Sequence, residues 1–270
     1  MELNAIFNCD PNEKPLDNLP ADGGYTGIFR TIAVIGDSLS SGELEAKDNG
    51  SPTTYHDYFD YSWGQYLARI AGTKVYNFSR GGMTASEYCN SYADAMGWWN
   101  TDKLAQAYVI AMGCNDLFGL NQEVGSVETD VCDDWHMNKP TFCGYYARMI
   151  QHYKDLQPEA KFFLVTMPRE PITDDASRDR DAKFVAHRDL MYALANHFSN
   201  TYVIDLYTYG PEYDADFHKL FFVGGHMNAA GYLLTGRMVA SYIDYIIRHN
   251  MDDFSQAGFI GTGFKHCGGC

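Results

Sequence analysis

Five short, continuously apolar, β-rich runs recur along the chain: TIAVIG (31–36), KVYNF (74–78), AYVIAMG (107–113), KFFLVTM (161–167) and TYVIDL (201–206). A strand with one wetted face alternates apolar and polar residues, so runs without that alternation are covered on both faces, as in a parallel sheet. Helical stretches follow them, at 62–71, 84–95, 142–156, 177–198 and 229–249. In the last of these, Leu234, Met238, Tyr242 and Ile246 fall on one stripe, with Val239 and Ile243 beside it. Regular alternation of strand and helix predicts a three-layer α/β/α fold around a five-stranded parallel sheet, in a single domain. That domain is expected over 28–250, with 1–27 as an N-terminal extension and 251–270 as a peripheral tail.

Bulk properties narrow the partners. With 46% apolar residues in 270, the chain can bury a large core. A net charge of −15, with no basic run, repels phosphate backbones and anionic lipid, so neither nucleic acid nor a membrane surface is an expected partner. The N-terminal MELNAIFNCDPNEKPLD carries acids where an export signal needs a positive region and a long apolar core, which predicts a cytoplasmic protein. Seven scattered cysteines, an odd number, fit a reducing compartment better than a disulfide framework. The CGGC at 267–270 has the spacing of metal and redox sites but no second ligand pair, so an unliganded tail is expected. The chain contains no H-E-x-x-H, P-loop or G-x-S-x-G segment, and neither a metal nor a cofactor is expected.

In open parallel sheets ligands bind outside the carboxyl ends of the strands. Four segments fall there: VIGDSLSSGE with Ser38 after the first strand, RGGMT after the second, GCND after the third, and VGGHMN beyond the fifth, before the last helix. A serine hydroxyl becomes a useful nucleophile when a base takes its proton and donors await the oxyanion that follows. His226 is the candidate base, and the amides of Ser38 and Gly82 with the side-chain amide of Asn115 are the candidate donors. Taken singly, Ser38 reads as a helix cap, Gly82 as a turn glycine and Asn115-Asp116 as an Asx-type cap. Their meeting on one rim is what points to catalysis.

GDSLS, NFSRGGMT, GCND and HMNAAGY, in that order, resemble the four signature blocks of the SGNH hydrolases, also called GDSL esterases and lipases, over residues 31 to about 249. The resemblance implies a flavodoxin-like sheet of order 2-1-3-4-5 and no cofactor. It also implies Ser38 as nucleophile, Gly82 and Asn115 as oxyanion donors, and His226 as general base and then acid. The expected activity is that of a serine esterase hydrolysing a small or carbohydrate-linked carboxylic (O-acyl or acetyl) ester through an acyl-Ser38 intermediate, with a small-molecule ester as partner. One departure stands out. The family usually carries Asp three residues before the His to orient the imidazole, and here that residue is Val223. Replacement candidates are Asp205 at the end of the fifth strand, Glu212, Asp214 and Asp216 in the loop before the His, or a backbone carbonyl. If nothing replaces it, the alternative is a catalytically degraded protein that binds an acylated or glycan ligand on the same rim.

The stretch from Leu117 to Pro140 has no clear periodicity and leaves the rim directly after Asn115, so it is a lid candidate. Phe118, Trp135 and the YHDYFDY run at 55–61 are candidates for the wall of a substrate pocket. Trp98 and Trp99 follow the helix after the second strand and are expected toward the opposite rim, as packing residues.

Overall fold

The computed structural model describes residues 10–47 and 50–264. The CGGC segment therefore lies outside the described residues. The central sheet contains β1 (Thr31–Gly36), β4 (Lys74–Ser79), β5 (Ala107–Ala111), β6 (Lys161–Val165) and β7 (Thr201–Ile204). It runs β4-β1-β5-β6-β7 with every pair parallel, which is the expected 2-1-3-4-5 order. Both faces are covered, and each strand divides its residues between two cores with period two. Ala33 and Ile35 of β1, Tyr108 and Ile110 of β5 and Phe162 and Leu164 of β6 enter one core. Their neighbours Ile32, Val34, Ala107, Val109, Phe163 and Val165 enter the other. Double-sided burial is why these runs do not alternate in polarity.

The first core packs under the helices α3 (Phe142–Leu156) and α4 (Asp175–His197) and is rich in tyrosine. Its phenols are hydrogen-bonded, as buried phenols must be: Tyr88 to Tyr153 at 2.7 Å, and Tyr146 to the Ile110 carbonyl at 2.9 Å. The stretch expected as a helix over 84–95 is instead broken, with a π-helical turn at Tyr88–Tyr92 between short α segments. Trp98 is buried in this core and Trp99 stacks on His152, in line with their reading as packing residues. The second core packs under α2 (Trp63–Ala71) and α5 (Ala229–His249). The expected stripe on α5 is there, with Met238, Val239, Tyr242, Ile243 and Ile246 buried and Leu234 partly so.

The described parts of both flanking segments are fastened to this body. Glu13, before the first strand, meets Arg248 of α5 at 2.7 Å, and Arg248 also bonds Asp244 at 2.8 Å, all three side chains at most 8% exposed. Phe254, Ala257 and Ile260 are buried in the second core, and the Arg30 guanidinium donates to the Gly258 and Ile260 carbonyls. Arg248→Met is expected to lower unfolding free energy by about 3–5 kcal/mol in denaturant titration, because it strands two buried carboxylates.

Two small hairpins escaped the sequence reading. One joins β2 (Glu43–Ala46) to β3 (Thr54–Asp57), and the other joins β8 (Phe222–Val223) to β9 (His226–Met227). Strands this short carry almost no periodic signal.

Candidate active site

Strand β1 ends in a turn that exposes one hydroxyl. A Cβ at Gly36 would collide with the Ser40 side chain, so only glycine allows the chain to fold back tightly there. Asp37, not Ser38, caps the short helix α1 (Ser38–Ser41), accepting from the Leu39 amide at 3.1 Å. Burial pushes the Asp37 carboxyl up to about 6. Ser38 is thereby released from capping. It is half-buried, and among the described residues no hydrogen bond engages its hydroxyl.

The turns after β4 and β5 are tied together. Gly82 has φ +71°, a left-handed conformation that favours glycine, and no atom crowds the place where its side chain would be. Asn115 Nδ2 donates to the Met83 carbonyl at 3.1 Å, leaving its second N–H for the rim. Next to it, Asp116 accepts from the Ala85 amide at 2.9 Å, and burial pushes that carboxyl up to about 7. Below the β5 turn, His187 Nε2 donates to the Met112 carbonyl at 2.9 Å, and its ring fills the space a side chain at Gly113 would need. The relative position of Gly82 and Asn115 is therefore set by bonds between the two turns.

His226 lies on β9, against α1, on the same rim. Its Nδ1 is 2.8 Å from Glu45 Oε1, and its Nε2 is 3.1 Å from Glu43 Oε1. Both carboxylates stand on β2, two residues apart and so on one face, with Glu43 opposite Asp57 and Glu45 opposite Tyr55 of β3. The Tyr55 ring meets the imidazole edge-on, centroids 5.6 Å apart. Glu45 also accepts from the Gly225 amide at 2.6 Å, and a Cβ at Gly224, where φ is +68°, would collide with its carboxylate. The Gly224-Gly225 pair thus makes room for Glu45. Burial pushes the Glu45 carboxyl up, yet the bonds from His226 and Gly225 outweigh it and hold the group below the usual carboxylate range. Glu43 goes the other way. Its burial, with the nearby Asp57 and Glu45 charges, outweighs the pull of His226 and raises its proton affinity.

The carboxylates expected to orient the imidazole are occupied elsewhere. Asp205 accepts from the Tyr207–Thr208 turn and from two hydroxyls: the Thr208 amide at 2.9 Å, Thr166 Oγ1 at 3.1 Å and Tyr192 at 3.0 Å. Asp216 is exposed in the first turn of the helix Ala215–Phe221, Asp214 caps that helix, and Glu212 faces Arg169. Glu45 takes the place considered for them, and Val223 is exposed. The signal for it was present as two glutamates at alternate positions directly after GDSLSSG, followed 180 residues later by a glycine pair before the His.

The lid candidate is tethered. Lys183 of α4 donates to the Leu117 carbonyl at 2.9 Å and to Asn121 Oδ1 at 2.7 Å, and Phe118 packs on Phe184. Trp135 bonds Asp155 and stacks on His152, both near the carboxyl-terminal end of α3. A helix that follows a parallel strand runs back toward the opposite edge of the sheet, so Trp135 lies away from the rim and does not wall the site. Tyr55, by contrast, is exposed beside His226, and Tyr58 and Tyr61, which meet edge-on, are exposed as well. A cavity of about 90 Å³ is lined by Leu39, Trp63, Cys114, Met167, Tyr213 and Met227 among others. Leu39, Cys114 and Met227 are the immediate neighbours of Ser38, Asn115 and His226. Among the described residues no cluster fits a metal ion, and no helix is long and apolar enough to cross a membrane.

Comparison with known proteins accords with this geometry. The GDSL-like Lipase/Acylhydrolase family profile matches residues 34–234. No curated protein matches the chain by sequence. Among solved structures, it is similar to a carbohydrate esterase family 2 enzyme from Corynascus thermopiles (Myceliophthora fergusii), at 19% identity and TM-score 0.54, covering 79% of this chain and 65% of that one. It is also similar to a family two carbohydrate esterase from Clostridium thermocellum, at 16% identity and TM-score 0.54, with coverage of 83% and 65%. A carbohydrate acetylesterase from Sinorhizobium meliloti matches at 16% identity and TM-score 0.51, with coverage of 80% and 99%. The matched span takes in all four rim segments and, from Val34 onward, the five-stranded sheet that carries them, and the chain belongs to the GDSL-like lipase/acylhydrolase family.

Proposed function

We propose that this protein is a serine esterase that cleaves a small or carbohydrate-linked carboxylic ester with Ser38, His226 and Glu45. The observation that carries the reading is the 2.8 Å contact between His226 Nδ1 and Glu45, which supplies the carboxylate that Val223 cannot. Glu45 accepts the Nδ1 proton, leaving Nε2 as the basic nitrogen. Ser38 Oγ attacks the ester carbonyl carbon as His226 Nε2 takes the hydroxyl proton. The oxyanion accepts from the Ser38 and Gly82 amides and Asn115 Nδ2. Collapse breaks the C–O bond, His226 returns the proton to the departing alkoxide, and acyl-Ser38 remains. Water, deprotonated by His226, then releases the acid and restores Ser38.

The cavity supports a short acyl group, and the exposed tyrosines along 55–61 support a sugar as the alcohol portion, since aromatic faces stack on pyranose rings. The similar carbohydrate esterases favour the same choice. The rival reading, a binding protein without turnover, drew on Val223; the contact of Glu45 with His226 favours turnover over it.

The test is hydrolysis of p-nitrophenyl acetate together with intact-mass detection of a fluorophosphonate adduct on Ser38. Turnover with a Ser38 adduct is the expected result; a folded protein that gives neither would overturn the esterase reading in favour of binding. Asn115→Ala is expected to lower kcat by about 10²–10³ with little change in KM, the usual loss for one oxyanion donor, as steady-state kinetics would register.

A further inference from the structure

The esterase reading needs His226 Nε2 to face Ser38, but that nitrogen faces Glu43 at 3.1 Å. The Glu43 side chain is 11% exposed and held on several sides. Its backbone carbonyl accepts from the Tyr232 hydroxyl at 2.6 Å. Asp57, its cross-strand partner, lies within hydrogen-bonding reach of its carboxyl and also accepts from Ser41 Oγ and, at 3.3 Å, from the Gly81 amide. A side chain at Gly81 would occupy the place of Glu43 Oε2, so the first glycine of RGGMT makes room for Glu43 while the second supplies the left-handed turn. The charged and titratable groups around Glu43 are His226 from β9, Glu45 and Asp57 from the hairpin, Asp37 from the nucleophile turn and Tyr232 from α5. The hairpin therefore grips both edges of the imidazole, and only one of the two grips is needed to orient a base.

We infer that Glu43 is a positioning residue that restrains His226: it holds the Nε2 edge, and His226 engages Ser38 only after that contact opens. The inference rests on the esterase reading for its consequence, and on geometry alone for the contact. The contact holds one proton between Nε2 and the Glu43 carboxylate. Opening it sends that proton to water and leaves the Nε2 lone pair free for the Ser38 hydroxyl. The raised proton affinity of Glu43, caused first by burial, is in keeping with a proton retained at this place. A carboxylate beside Nε2 favours the protonated edge. Activity must then fall on acidification at a higher pH than it would without Glu43.

Two measurements test this on the full chain, with Glu43→Gln and Glu43→Ala made in parallel so that one folded variant suffices. In p-nitrophenyl acetate hydrolysis, the ratio of kcat/KM at about pH 5.5 to that at about pH 8 is expected to rise about tenfold in either variant, equivalent to an acid limb moved down by about one pH unit. In long-range ¹H–¹⁵N spectra, with the His226 signal assigned by its loss in His226→Gln, the Nε2 resonance is expected to shift in either variant because its bonding partner is gone. A ratio and a resonance that both stay at wild-type values would overturn the inference. The spectrum reports the contact even if the wild type hydrolyses no ester, so failure of the esterase reading and failure of the restraint are separate results.

Discussion

Ser38→Ala is expected to lower kcat on p-nitrophenyl acetate by about 10⁴–10⁶ and to abolish fluorophosphonate labelling, with the fold intact by circular dichroism. In a serine hydrolase the nucleophile and its base act as a unit, so losing either forfeits most of the chemical acceleration. His226→Ala is expected to match this loss, and the double variant to add little to it. The local structure makes Ser38→Ala a clean experiment. Asp37 caps α1, no hydrogen bond engages the Ser38 side chain, and removing one hydroxyl leaves no buried group without its partner. Equal rates in wild type and variant would mean that the hydrolysis measured does not pass through Ser38.

The second large effect concerns the residue that stands where the family's usual aspartate is missing. Glu45→Gln is expected to lower kcat by about 10³–10⁴ with KM nearly constant, on the precedent of the orienting carboxylate in serine proteases. The neutral amide keeps the size of the side chain but loses the charge that stabilises the imidazolium as the serine proton moves. It can also present its NH₂ to Nδ1 and select the wrong tautomer. Asp216→Asn, in the exposed first turn of its helix, is expected to stay within about threefold of wild type. Steady-state kinetics on the pair distinguish the carboxylate that touches the ring from one that was merely nearby in sequence. A Glu45→Gln enzyme as fast as wild type would leave a Ser38–His226 dyad.

The fold was legible because its signal is local and repeated. Strands covered on both faces must be apolar throughout, and helices that close them must carry one apolar stripe, so the bounds of α3 and α5 match the sequence reading residue for residue. The helix read over 84–95 was less regular because its middle turn widens around the buried Tyr88 and Cys89, which propensity does not anticipate. The lid reading took a long aperiodic stretch for a mobile cover. Lys183, more than sixty residues away, pins it by two hydrogen bonds that no local pattern announces.

By itself, the sequence determined the parallel sheet and placed Ser38, Gly82, Asn115 and His226 in the turns at its carboxyl-terminal rim, because strand direction follows from the alternation of strands and helices; the strand order was implied only by the resemblance to the SGNH hydrolases. Only the tertiary structure decided what surrounds the imidazole. Glu45 and His226 are 181 positions apart, on two hairpins too short to betray themselves, and the two meet because both pack onto the same edge of the sheet. A carboxylate is identified as an orienter by the nitrogen it touches, and that contact belongs to the folded chain alone.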